Sequence, residues 1–268
     1  MMPNTQGLIE TQEFGAVLEI RMVKPKVNAI CRRLSHAIFT AATYLQETPH
    51  LQVGILTAPG ERVFSAGWDF NEVAAYAGDG AEEAVPGGFG GIASLWSLDK
   101  PLIAAVNGPA VGGGFELALA CDIILMADHA YFQLPEMRRG ILPDAGGLQR
   151  LPKRIPYNVA LEMIYSGRPM PAGEALRWGL ASTVCPRAGL ADEARRLAAQ
   201  VAEGAPLALQ AFKQVMRAID GMPITEAMRI SRSADENLAT YRAMQKSEDA
   251  IEGPRAFLEK RPPQWRGR

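Results

Sequence analysis

The sequence predicts an α/β fold followed by a helical C-terminal part. Three observations carry this. Residues 7 to 30 alternate apolar and polar positions, as in LIETQEFGAVLEIRM, the period-two pattern of strands. From about 51 onward, short apolar runs alternate with helical patterns opened by glycine turns. After about residue 188 the strand patterns stop. LADEARRLAAQVAEG, PLALQAFKQVMRAID and PITEAMRISRSADENLATYRAMQ place apolar residues at helical spacing, punctuated by Gly204, Pro206, Gly221 and Pro223. A boundary near residue 200 follows. Residues 1–200 form the core, and residues 201–268 form a helical region that closes the core or packs on another subunit.

Each element follows in order. Phe14-Gly15 is the turn between the first two strands. RLSHAIFTAATYLQE has helical spacing, and LQVGILTA reads as a buried strand. Residues 71–96 mix a weak helical pattern with many glycines, whose freedom raises the entropy cost of order. They read as a mobile loop with short helical pieces. KPLIAAVNG then reads as a strand, GGGFELALAC as a glycine turn opening a helix, and DIILMAD as a strand, followed by the short AYFQL. No repeat of fixed period is visible.

Composition excludes several classes. The net charge is −1 and the 28 basic residues are spread along the 268-residue chain, so nothing pulls it toward nucleic acid or membrane. The longest apolar runs are far short of the roughly 20 residues that span a bilayer. The opening MMPNTQGLIETQE has neither a signal-peptide pattern nor arginine. Cys31, Cys121 and Cys185 are odd in number and far apart, against a disulfide framework or zinc site. These features predict a cytoplasmic protein. His36, His50 and His129 accompany no recognisable Ser or Cys nucleophile, and GGFGG and GGG lack the Lys-Ser/Thr of a phosphate loop.

Three segments carry candidate chemistry. In FSAGWDF (64–70), Ala66 and Gly67 stand at a strand end, where small residues permit close approach to the backbone. In NGPAVGGGFELALA (107–120), three glycines lead into a helix, whose first amides are unpaired. That turn either receives an anion or simply packs tightly on a neighbour. Glu116, in the helix's first turn, is either a solvated helix-start residue or a buried acid. In FQLPEMRRGILPDAGG (132–147), Pro135 and Pro143 restrict the backbone beside Glu136 and Asp144. Two converging carboxylates can hold a water and act as base and acid.

In order and spacing, with Glu116 and Glu136 twenty residues apart, these segments resemble the enoyl-CoA hydratase/isomerase (crotonase) family. The resemblance implies a crotonase-like spiral of ββα units, with C-terminal helices that build homotrimers, usually paired as hexamers. It implies an acyl-CoA thioester substrate, with the N–H groups of Ala66 and Gly113 as the oxyanion hole and Glu116 and Glu136 as the acid–base pair. Coenzyme A enters as part of the substrate, and proton transfer needs no metal or redox cofactor. Retention of both glutamates favours hydration or dehydration.

LDKPLIAAVNG, EALRWGL and SEDAIEGPRAFLEKRPPQWRGR extend the likeness to the subgroup that interconverts carnitinyl-CoA and crotonobetainyl-CoA. That substrate carries a trimethylammonium group, which aromatic faces bind. Trp68, Phe89, Trp96 and Phe115 are candidate partners or core residues, and Asp144 a candidate negative charge. Lys24, Lys26, Arg62 and Lys260 are candidates for CoA, the last from a neighbouring subunit. A broad short-chain hydratase, a dienoyl-CoA isomerase-like enzyme using Asp144, and a non-catalytic RNA-binding relative stand as alternatives.

Overall fold

The computed structural model describes residues 7–75, 85–230 and 238–268. Strands β1 (Ile9–Phe14) and β2 (Val17–Met22) form an antiparallel hairpin, closed where Phe14 faces Val17 across Gly15 at φ 59°. Helix α1 (Arg32–Glu47) buries Leu34, Ile38, Ala41, Ala42 and Leu45, the three-and-four spacing of one helix face. Then come β3 (Val53–Thr57), α2 (Phe70–Ala75), β4 (Leu102–Val106), β5 (Ala110–Val111) and α3 (Gly113–Leu119). β6 (Ile123–Ala127), β7 (Tyr131–Gln133), α4 (Gly147–Arg154), α5 (Tyr157–Ser166), β8 (Met170–Pro171), α6 (Ala172–Arg177) and β9 (Thr183–Cys185) follow. The chain ends with α7 (Leu190–Ala202), α8 (Pro206–Ala218), α9 (Ile224–Ile230), α10 (Ala239–Lys246) and α11 (Glu248–Leu258).

The large sheet runs β1-β2-β3-β4-β6-β9 and is parallel except for β1. Its central strand β4, LIAAV, is buried throughout, as expected of a parallel strand covered on both faces. A small sheet, β5-β7-β8, lies apart, and Ser65 extends it by a bridge to Ala110. The chain therefore visits the two sheets alternately: β3 then Ser65, β4 then β5, β6 then β7. The first two passes end in helices α2 and α3. This is the ββα spiral, and it brings the ends of successive passes side by side.

The strands stop at β9, but α7 belongs to the core. It packs across β2, β3, β4 and β6, and Arg195 makes two hydrogen bonds, of 2.8 and 3.1 Å, to the buried Glu19 of β2. Helix α8 is tied on by Lys213 to Asp122 at 2.7 Å and by Arg217 to Asp99. Phe212, Ile224, Ile251, Phe257 and Leu258, all on α8, α9 or α11, are exposed. The basic tail is held within the chain: Arg261 pairs with Glu252, and Trp265 Nε1 donates to Glu203 O at 2.7 Å.

The loop expected over 71–96 contains α2 and a short 3₁₀ turn at Phe89–Gly91, while residues 76–84 lie outside the described residues. Among the described residues, no helix is long and apolar enough to cross a membrane.

Candidate active site

The site begins with the loop after β3. Ile30 grips it twice: its N–H donates to Gly67 O at 2.7 Å, and its O accepts from Asp69 N–H at 2.9 Å. Ser65 Oγ donates to Asn28 O at 2.8 Å, and Asn28 Nδ2 donates to Phe64 O at 3.1 Å. Lys24 Nζ reaches Asp69 Oδ2 at 2.5 Å and Ala29 O at 2.8 Å. Lys24, expected to meet CoA, instead fastens this loop, because its ammonium is committed to these two acceptors.

These bonds decide which amide is free. Ala66 N–H donates to Val27 O at 3.0 Å. The expectation that Ala66 supplies an oxyanion donor is therefore corrected, since its hydrogen is already bonded. Trp68 N–H, between the two bonds to Ile30, has no acceptor among the described residues, and neither does Gly113 N–H. Gly67 brings the two together. It sits at φ +86°, and a Cβ there would lie 2.5 Å from Val111 O and 2.9 Å from Gly113 N. Only glycine satisfies both the backbone angle and that approach. The donor pair of the loop and the helix start is thus Trp68 and Gly113.

Glu116 rises from α3 beside them. It is 3% exposed, and its Oε1 accepts from Gly147 N–H, at the start of α4, at 2.8 Å. Phe115 points elsewhere, because adjacent helical residues project about 100° apart. Its ring is fully buried and stacks on Phe132 with centroids 4.1 Å apart. Phe115 is core, which corrects its assignment to the substrate.

Glu136 follows Pro135 in a 3₁₀ turn (Glu136–Arg139) and is 6% exposed. Its Oε1 lies so close to Gly112 that a Cβ there would be 2.6 Å away. Its Oε2 is buried without a hydrogen-bond partner. Burial pushes the Glu136 carboxyl above the ordinary carboxylate range; the Asp144 charge adds to this, while a backbone hydrogen bond and Arg139 oppose it. A buried acceptor with no partner beside a cavity is where a water or substrate oxygen would bind.

One cavity of about 120 Å³ joins these groups: Ala66, Trp68, Gly113, Glu116 and Glu136 all line it. Phe89 lines it too, with its ring over Gly113. Asp144 and Ala145 also belong to its wall and, with Phe89, to the wall of an adjoining cavity of about 710 Å³ that reaches Trp96. Lys26 and Arg62 are exposed, and neither they nor Lys260, just past α11, lines either cavity. Arg139, Phe70, Ile141 and Leu142 line the smaller cavity and escaped the sequence reading. So did Gly147, for which the Gly146-Gly147 pair after Pro143 was the available signal. Among the described residues, no group of three or more His, Cys, Asp or Glu side chains could hold a metal ion.

Two free amides and two buried carboxylates around one cavity suit a reaction that builds negative charge on an oxygen while moving protons. The sequence pattern of the enoyl-CoA hydratase/isomerase family matches residues 12–268. Carnitinyl-CoA dehydratases of Salmonella arizonae and Shigella flexneri are each 49% identical, over 94% and 95% of this chain and 96% of their own length. Among solved structures, enoyl-CoA hydratase from Mycobacterium tuberculosis superposes with a TM-score of 0.87 at 34% identity, over 97% of this chain and 99% of that one. The enoyl-CoA hydratase of Bacillus anthracis gives 0.87 at 31% identity, over 97% and 100%. The chain belongs to the enoyl-CoA hydratase/isomerase family.

Proposed function

We propose that the protein reversibly adds water to an enoyl-CoA thioester, and that its substrate pair is crotonobetainyl-CoA and carnitinyl-CoA. The observation that carries the reaction is the convergence of Glu116, Glu136 and the Trp68 and Gly113 amides on one cavity. The acyl group rests on the dehydratases that are 49% identical over nearly the whole chain.

The thioester carbonyl oxygen lies between Trp68 N–H and Gly113 N–H. Addition of oxygen at Cβ places negative charge on that carbonyl oxygen, and two fixed donors stabilise it without rearranging. Each such donor contributes roughly 3–4 kcal/mol to the transition state. Glu116, held by Gly147, takes a proton from a water as the water attacks Cβ. Glu136, whose carboxyl is pushed by burial above the ordinary carboxylate range, delivers a proton to Cα. Both carboxylates face the same cavity, so oxygen and hydrogen arrive on one face of the double bond. Dehydration runs the same steps backwards. A proton and a hydroxide move and no electrons are transferred, so no redox cofactor is required.

The assembly we propose is a homotrimer or a pair of trimers, working in the cytoplasm. The exposed apolar residues of α8, α9 and α11 support self-association.

Glu116→Gln and Glu136→Gln variants test the reaction. Each is expected to lose about 10²–10⁴-fold in hydration rate, the usual worth of general acid–base catalysis, while still binding an unreactive CoA thioester. Hydration at the wild-type rate in both would contradict the assignment.

A further inference from the structure

We propose that Asp144, with Phe89 beside it, receives the trimethylammonium group and selects a cationic acyl chain over a neutral one of the same shape. This rests on the substrate pair proposed above and assigns the residue that reads it.

The chemistry of the acyl group limits the choice. The nitrogen is only two bonds from Cβ, roughly 2.5 Å away. Once Cβ is placed between Glu116 and Glu136, the cation lies next to those glutamates. Its partner must therefore belong to the wall of the catalytic cavity and not to a distant surface. Trp96 and Asp220 line the adjoining cavity and not the catalytic one, so they stand too far out. Asp144 and Phe89 line both, which places them at the junction. Phe89 covers Gly113, the amide beside the thioester, so its ring flanks the acyl chain from its first carbon.

Charge points to the same residue. Asp144 has no ion-pair or hydrogen-bond partner among the described residues. The neighbouring cations are committed: Lys153 to Asp220 at 2.5 Å, and Arg150 to Ala93 O at 2.6 Å with its guanidinium over the Trp96 ring. Arg139 lines the smaller cavity only, with its guanidinium over the exposed Phe70 ring at 5.5 Å. Asp144 is thus a carboxylate with no ion-pair partner of its own, near Glu136. A bound cation is attracted to that carboxylate; a neutral chain of the same shape forgoes the attraction.

The test compares hydration of crotonobetainyl-CoA with hydration of its tert-butyl isostere, in which carbon replaces the ammonium nitrogen. Wild type, Asp144→Asn and Asp144→Glu are measured side by side. The ratio of the two kcat/KM values cancels any common effect of the substitution on Glu136. Wild type is expected to prefer the cation by about tenfold or more, a typical gain for one close charge pair. Asp144→Asn should bring the ratio near one, and Asp144→Glu should keep most of the preference. Preference retained in Asp144→Asn would overturn the role of Asp144 and leave the substrate pair standing. A wild type that hydrates the isostere as well as crotonobetainyl-CoA would overturn both.

Discussion

Gly147 N–H donates to Glu116 Oε1 at 2.8 Å, so the first residue of α4 holds the carboxylate that α3 presents. The two helices come from successive passes of the spiral, and the bond fixes one half of the acid–base pair against the other. A Cβ at residue 147 would lie 3.0 Å from Glu116 Oε1 and 2.9 Å from Pro143 Cβ. Gly147→Ala is therefore expected to lower kcat by about 10–100-fold, the effect of misplacing a catalytic group. Binding of an unreactive CoA thioester should change much less. Steady-state kinetics with a parallel binding titration checks this, and an unchanged kcat would remove the Gly147 bond from the mechanism.

Gly113 makes a second prediction. Its backbone is helical, and a Cβ there would lie 2.3 Å from Phe89 Cζ, with Phe89 supplying all three nearest atoms. Gly113→Ala should displace the ring or the amide and cost about 10²-fold or more in kcat, as loss of an oxyanion donor does. Gly113→Ala combined with Phe89→Ala should recover part of that loss, because the obstruction is gone. A double variant no faster than Gly113→Ala would show that the ring is not the cause.

Glu136 predicts an exchange of stability for activity. Its carboxyl lies above the ordinary value of 4.5 because it is buried. The folded protein holds this proton more tightly than the unfolded chain. Stability from Glu136 is therefore greatest below about pH 4.5 and declines as pH rises through its folded value. Glu136→Gln, which cannot ionise, should be more stable than wild type at pH 7, with the gain shrinking toward pH 4. Urea unfolding at the two pH values measures this. A variant less stable than wild type at pH 7 would contradict the burial argument.

Lys100 predicts the opposite slope. It is 3% exposed, and its Nζ donates to Leu45 O at 2.9 Å and Thr48 O at 2.7 Å, capping the end of α1. Burial lowers its pKa from 10.5 to about 8. Between those values the unfolded chain binds the extra proton, so the contribution of Lys100 to stability rises with pH across that window. The stability of wild type relative to Lys100→Met should therefore grow between pH 8 and about pH 10. Urea unfolding across that range reads it, and a flat difference would contradict the shift.

Much of this was legible in the sequence, and the exceptions have physical causes. The strands and helices up to AYFQL follow from periodicity, because each buries one face or both. The two-residue strands β5 and β8 are too short to carry a period. Residues 147–188 hold three helices broken by prolines and glycines, and gave no expectation. Glu116 and Glu136 were found from their segments and spacing, since side-chain chemistry is written in residue type. The amide donor was not, because every residue except proline carries the same N–H. Whether Ala66 or Trp68 keeps its amide free depends on Val27 and Ile30, about 38 residues earlier in the chain. Phe115 shows the same limit: it neighbours Glu116 in sequence, but one helical step turns it into the core.

The most direct measurement is kcat/KM for hydration of crotonobetainyl-CoA and of crotonyl-CoA, side by side on the wild-type protein. Strong preference for crotonobetainyl-CoA is the expected result. Equal or reversed preference would contradict the proposed substrate and leave a general short-chain enoyl-CoA hydratase. Turnover of neither would contradict the hydration reaction itself.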